Sequence, residues 1–90
     1  MAYETLIDEP VKVWAFFDPS ASSEQVGIFP IAIAWRRRLI KLQKVIFEGT
    51  RKIGEAKLIS LVCAGENANF ELEYNASDYS WRLKKVLEKE

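Results

Sequence analysis

The chain lacks the residues on which most active sites and metal centres depend. It has no histidine, which removes the commonest general base and the commonest metal ligand. Cys63 is its one cysteine, so no internal disulfide can form, and its apolar surroundings predict an inert core thiol. Gly49 and Gly54 have the spacing of the glycines in a phosphate-binding loop. Glu-Ala follows Gly54 where such a loop has Lys-Ser or Lys-Thr, so the segment is not a phosphate-binding loop. We therefore expect no enzyme activity, no metal and no cofactor.

Long apolar runs are also missing. No window reaches the roughly 20 uninterrupted apolar residues that a membrane-spanning helix needs. The first ten residues, MAYETLIDEP, carry acids where a signal peptide carries basic residues, and no apolar run follows them. We expect a cytoplasmic protein with no membrane partner.

What is present is enough for one small core. Hydrophobic residues make up 49% of the 90 residues, and eleven residues are aromatic. A chain of this length forms one domain. We expect an N-terminal arm over residues 1–10, a single β-domain over 11–87 and a frayed tail over 88–90.

Apolar residues alternate in short segments that polar turns separate, which is typical of β-strands. Residues 11–17 read VKVWAFF, and both faces of this strand are largely apolar. Either the strand is covered on both sides, or Trp14 and Phe16 lie on a surface that something else covers. In residues 69–75 the apolar side chains point one way, and Glu71 and Glu73 form a solvated face.

The spacing of these segments predicts an all-β fold. We expect an antiparallel meander of five to six strands that forms a curled sheet or a small barrel. Residues 81–87 change phase, which indicates a bulged strand or a short C-terminal helix. The expected core consists of Trp35, Ile40, Leu42, Val45, Phe70, Leu72, Trp81 and Leu83.

Residues 36–47 fit two structures. As a helix, the segment carries an apolar stripe formed with Trp35 by Leu39, Leu42 and Ile46. As a strand, it needs a β-bulge near residues 43–44 to return its apolar residues to one face. We favour the strand, because its last residues, Val-Ile-Phe, prefer β-structure and a glycine follows shortly after.

The charges are unevenly placed although the net charge is zero. Residues 1–24 contain one basic and five acidic residues. Residues 25–57 contain eight basic and two acidic residues, and residues 58–90 contain four basic and six acidic residues. The basic middle could contact an acidic partner, or it could be matched by acidic strands beside it.

Three separated strings resemble a known family. They are W-R-x-R-x-I-x-L-x-x-V over 35–45, F-E-L-x-Y over 70–74 and W-x-L-x-x-V over 81–86. They resemble a family of small bacterial domains of unknown function. Its members stand alone or lie at the C-terminal end of error-prone Y-family DNA polymerase-like proteins. The resemblance covers roughly residues 11–87 and implies a compact β-domain linked to DNA-damage tolerance, with no catalytic residues to transfer. The chain departs from the pattern at Arg37, where the family has glycine, and in the loop over 18–25, which resembles an insertion.

These observations favour a non-enzymatic accessory or protein-interaction domain. A homodimer or an unknown protein partner suits the two apolar faces of residues 11–17 and the neutral net charge. The alternative is weak nucleic-acid binding by the basic segment, although a pI near 6.3 is low for a dedicated DNA-binding domain. The candidate contact residues for either partner are Trp14, Phe16, Trp35, Arg36, Arg37, Arg38, Lys41 and Lys44.

Overall fold

The computed structural model describes residues 3–19 and 27–88, and these residues form seven β-strands and no helix. The strands are β1 (Tyr3–Pro10), β2 (Lys12–Phe17), β3 (Ile28–Trp35), β4 (Arg38–Ile53), β5 (Ala56–Gly65), β6 (Ala68–Asn75) and β7 (Ser80–Glu88). The prediction of an all-β fold is confirmed, and the predicted number of five to six strands is too low.

All strands belong to one antiparallel sheet in the order β1-β7-β6-β5-β4-β3-β2. Strands β2 to β7 therefore form the predicted meander, and β1 is added next to β7. The two edge strands, β1 and β2, are separated in the chain by Val11 alone. The sheet must curl so that its edges come together there, where the Val11 N–H donates to the Trp81 carbonyl oxygen at 3.2 Å. The sheet stays open, since no ladder joins β1 to β2 in the described ranges.

Both ends of the chain differ from the prediction. Residues 3–10 of the expected N-terminal arm form β1, because pairing with β7 holds them in a strand although Asp-Glu-Pro interrupts their own pattern. The alternative of a short C-terminal helix is wrong. β7 pairs with β6 along its whole length, and a register shift opposite residues 71–72 accounts for the change of phase. Most of the polar loop over 18–25 lies outside the described residues.

The strand favoured for residues 36–47 is confirmed from Arg38 onward as the first part of β4, and Arg36 and Arg37 lie in the turn before it. Its ladder with β5 shifts register between Leu42 and Lys44, where the bulge is predicted, and again between Val45 and Phe47. The alternative of an amphipathic helix is wrong. Its apolar stripe would require Leu39 to be buried, and that side chain is largely exposed. These bulges let one 16-residue strand pair first with β3 and then with β5.

The core lies on the concave face of the sheet. Its centre is a row of three fully buried leucines, Leu61, Leu72 and Leu83, paired directly across β5, β6 and β7. All eight predicted core residues belong to it: four are buried and four are partly buried and packed against it. Cys63 is also fully buried, and burial raises its pKa to about 12, so the thiol stays protonated.

Candidate functional site

The sheet formed by β2, β3 and the first part of β4 has one buried and one open face. Ile33 is fully buried and pairs with Val13 on one side and Ile40 on the other. Directly paired residues share a face and neighbours along a strand alternate. Trp14 and Lys41, which pair with the two sides of Ala32, must therefore lie on the opposite, outer face.

Large apolar side chains remain exposed on that outer face. The exposed fractions are 49% for Trp14, 58% for Phe16, 55% for Ile31 and 63% for Leu39. Ile31 reaches this face because the β2–β3 ladder shifts register beside it. We call this surface the aromatic face and define it by Lys12, Trp14, Phe16, Phe29, Ile31, Leu39 and Lys41. The strand with two apolar faces is thus covered on one side only.

The charge on the aromatic face has one sign. Lys12 and Lys41 are its charged members; both are exposed, and neither forms an ion pair with any described residue. Phe16 contacts Phe29 with ring centroids 6.2 Å apart. The face therefore combines aromatic and aliphatic groups with cations and offers no acidic side chain of its own.

The β3–β4 turn holds two arginines in an unusual conformation. Trp35 pairs with Arg38, so Arg36 and Arg37 are the two turn residues, and their φ angles are 49° and 64°. Both values are positive, as in the type I′ hairpin turns that favour Asn-Gly. A glycine in place of Arg37 would adopt this angle without strain.

Replacing Arg37 with glycine should raise the free energy of unfolding by about 0.5–1 kcal/mol, because it relieves left-handed strain that costs about 1–2 kcal/mol. Urea denaturation measures the change. The same substitution at Lys44, in the middle of β4, is the control and should destabilise by about 0.5–1 kcal/mol. A loss of stability in the Arg37 variant would show that its side chain has a structural role.

Glu9 fixes this turn to the end of β1. Its Oε1 accepts a hydrogen bond from Trp35 Nε1 at 3.0 Å, and its Oε2 accepts one from Arg36 Nη2 at 2.8 Å. The Arg36 guanidinium also lies 4.5 Å from the centre of the Trp35 ring. The hydrogen bonds from Arg36 and then Trp35 lower the pKa of Glu9, and Glu9 in turn raises the pKa of Arg36.

Replacing Glu9 with glutamine should reduce stability slightly at neutral pH and not at acid pH. A carboxylate whose folded pKa is lowered stabilises the fold above its ordinary value of 4.5, and this contribution is lost as the pH falls through the folded value. Melting temperatures of both proteins across this range measure the effect. Glu55→Gln, in the exposed β4–β5 turn, is the control and should change nothing. A constant difference at all pH values would contradict the assignment.

An open groove of about 1070 Å³ lies beside the turn. Its floor is formed by core-facing residues of β1, β6 and β7, including Ile7, Phe70 and Val86, and one wall is the consecutive stretch 38–43 of β4. Arg38 lines this groove and forms no ion pair within the described part of the chain.

The structure divides the predicted contact residues among several places. Trp14, Phe16 and Lys41 lie on the aromatic face. Trp35 and Arg36 are held by Glu9, Arg37 projects at the turn, and Arg38 faces the groove. Lys44 lies apart, paired with Ala64 of β5. Four members of the aromatic face were not predicted from the sequence: Lys12, Phe29, Ile31 and Leu39. The alternation of residues within a strand reveals neither the bulge beside Ile31 nor which face of the sheet stays uncovered.

Cross-strand pairing neutralises only part of the basic middle of the chain. Arg36 pairs with Glu9, and Arg51 pairs with Glu73 at 2.9 Å. Further ion pairs among the described residues join β1 to β7, where Asp8 accepts from Arg82 and Lys84. Six exposed cations of this segment form no ion pair with the residues described here: Arg37, Arg38, Lys41, Lys44, Lys52 and Lys57.

Residues 3–19 and 27–88 bring together no group of three histidine, cysteine, aspartate or glutamate side chains that could hold a metal ion. The same residues contain no helix long and apolar enough to cross a membrane.

No family model matches this chain, and no curated protein or solved structure is detectably similar to it. The fold and its surfaces define a small, open, antiparallel β-sheet domain. The resemblance noted in the sequence stays a prediction.

Proposed function

We propose that this chain is a non-catalytic interaction domain that docks a protein partner on its aromatic face. The observation that supports this is the exposure of Trp14, Phe16, Ile31 and Leu39 together on one side of a sheet. Contiguous exposed apolar surface of this kind marks interaction sites in soluble proteins. Aromatic residues on such a surface are typical of the buried centre of an interface.

The charges on this face favour a different protein over a second copy of the chain. Lys12 and Lys41 flank the apolar centre, and the face has no acidic residue. Two copies meeting through it would place cations against cations, which opposes association. A partner with an apolar centre and an acidic rim complements both features. The family resemblance adds a proposed link to DNA-damage tolerance.

The test places a photoreactive benzoylphenylalanine at Phe16 or, as control, at Phe47 in cells that make the protein. The two phenylalanines are equally exposed, at 58% and 60%, but Phe47 lies on β4 opposite Val62, away from the aromatic face. We expect one protein to be crosslinked from position 16 and not from position 47. With that protein purified, Phe16→Ser should weaken binding at least about tenfold and Phe47→Ser should not change it.

Equal crosslinking from both positions, or none from position 16, would overturn this proposal. So would a partner whose affinity is unchanged by Phe16→Ser.

The second candidate is a single-stranded nucleic-acid platform on the same face. Trp14 and Phe16 are two residues apart on β2, about 7 Å along the strand, and successive bases could stack on them. Fluorescence anisotropy of a labelled oligothymidylate at low and high salt tests this. Salt-sensitive binding that Trp14→Ser removes would favour this function. An absence of binding would favour docking of a protein partner instead.

A further inference from the structure

β4 has an open backbone edge along the groove. Its residues 38–41 pair with β3 on one side, but its ladder with β5 begins only at Leu42, opposite Gly65. After Gly65 the chain turns away into β6, so no described strand continues β5 beside residues 38–41. The groove runs along this edge, because six consecutive residues of β4 line it.

The turn geometry determines which backbone groups point into the groove. Trp35 and Arg38 close a two-residue turn and so form a hydrogen-bonded pair. In an antiparallel ladder the hydrogen-bonded and non-hydrogen-bonded pairs alternate, so Leu39 and Lys41 direct their N–H and C=O groups away from β3. The Leu42–Gly65 pair takes up the Lys41 C=O, so the Leu39 N–H and C=O and the Lys41 N–H remain for an added strand. Such an edge can hydrogen-bond an added strand.

The two ends of the groove carry opposite charges. Arg36 and Arg38 lie at the end next to the β3–β4 turn, whereas Glu66 and Glu88 lie at the end next to the β5–β6 turn. A strand added antiparallel to β4 would continue the line of β5 and run from the acidic end to the arginines. This direction brings the carboxyl end of the added strand to Arg38, which has no ion pair within the described chain.

We propose that the groove binds the extended, free C-terminal segment of a partner chain, with its terminal carboxylate at Arg38. About four residues would lie along β4, since residues 38–41 span roughly 13 Å. Their backbone pairs with Leu39 and Lys41, and alternate apolar side chains contact Ile7, Phe70 and Val86 on the floor. This site uses the backbone edge of β4, which meets the aromatic face at Leu39 and Lys41, and it does not rest on the proposed function.

The test uses two synthetic peptides, Val-Thr-Val-Thr-Val with a free carboxylate and the same peptide with an amidated C-terminus. Each is titrated into labelled protein to millimolar concentration, and amide shifts and amide hydrogen exchange are followed by NMR. We expect the free acid to bind about tenfold more tightly than the amide, because a charge-assisted hydrogen bond is lost in the amide. The Leu39 and Lys41 amides should exchange more slowly when the peptide is bound, and those of Arg38 and Ile40 should change little.

A variant pair separates the role of Arg38 from general electrostatics. Arg38→Gln should weaken binding of the free-acid peptide about tenfold and leave binding of the amidated peptide unchanged, since only the carboxylate contacts this side chain. Lys44→Gln, on the part of β4 that β5 covers, is the matched control and should leave both affinities unchanged.

Equal affinity of acid and amide would overturn the proposal, as would the absence of any shift at residues 38–41 at millimolar peptide. The peptide comparison uses the unaltered protein, so it holds even if Arg38→Gln fails to fold. Phe16→Ser should leave peptide binding intact, which keeps a failure here distinct from a failure of the protein-docking function.

Discussion

Replacing Leu72 with alanine should lower the free energy of unfolding by about 2–5 kcal/mol. Leu72 is fully buried in β6 and lies between two other fully buried leucines, Leu61 on β5 and Leu83 on β7. A truncated side chain leaves a cavity that backbone-paired neighbours on both sides cannot close. Small domains are stable by only about 5–15 kcal/mol, so this loss is a large part of the total.

Urea denaturation of the wild type and the variant measures this change. The matched control is Leu39→Ala on the aromatic face, where the same atoms are removed from a largely exposed side chain. It should change stability by no more than about 0.5 kcal/mol. A loss below about 0.5 kcal/mol for Leu72→Ala would mean that the register of β6 is wrong.

Leu72 also shows what the sequence can predict. Phe70, Leu72 and Tyr74 alternate with two glutamates, and all three are buried. In a strand whose apolar and charged residues alternate, only the apolar face can pack against the core, because the opposite orientation would bury charge. The first bulge in β4 was predictable for the same reason, since only an extra residue returns Leu42 and Val45 to one side, whereas the second, between Val45 and Phe47, was not predicted.

Features that depend on distant parts of the chain could not be predicted in this way. β1 is a strand because β7 offers it an edge, and the phase of its own residues is broken where Asp8 adopts a φ of 52°. The fold of residues 11–17 was predictable, but which apolar face stays uncovered depends on the whole sheet. Similarly, nothing in Arg36-Arg37 indicates a type I′ turn, because neither residue favours positive φ.

The candidate surfaces were therefore predicted only in part. The exposed aromatics of β2 and the basic residues of the β3–β4 hairpin were identified from residue type. Their division into an outer face and a groove follows from strand alternation at Ile33 and from where β5 ends. Lys41 contributes its side chain to the aromatic face and its backbone to the groove, so both surfaces meet at β4.

Replacing Gly65 with alanine should destabilise the fold by about 1–3 kcal/mol, although it adds only one methyl group. A Cβ at this position would lie 2.8 Å from the backbone oxygen of Ala68 and 2.8 Å from Cε2 of Phe70. The backbone oxygen cannot move without changing the β5–β6 turn, and the Phe70 ring is buried. Overpacking at such a site shifts the surrounding structure instead of being absorbed.

Gly49→Ala is the matched control for this effect. A Cβ there would meet only the ring of Phe47, at 3.5 Å, which is ordinary contact with an exposed side chain. Because alanine restricts the unfolded chain more than glycine does, this variant should be neutral or more stable by up to about 1 kcal/mol. Equal urea midpoints for the two variants would show that Phe70 has room to move. The floor of the groove would then be adaptable, and a docked strand could reshape it.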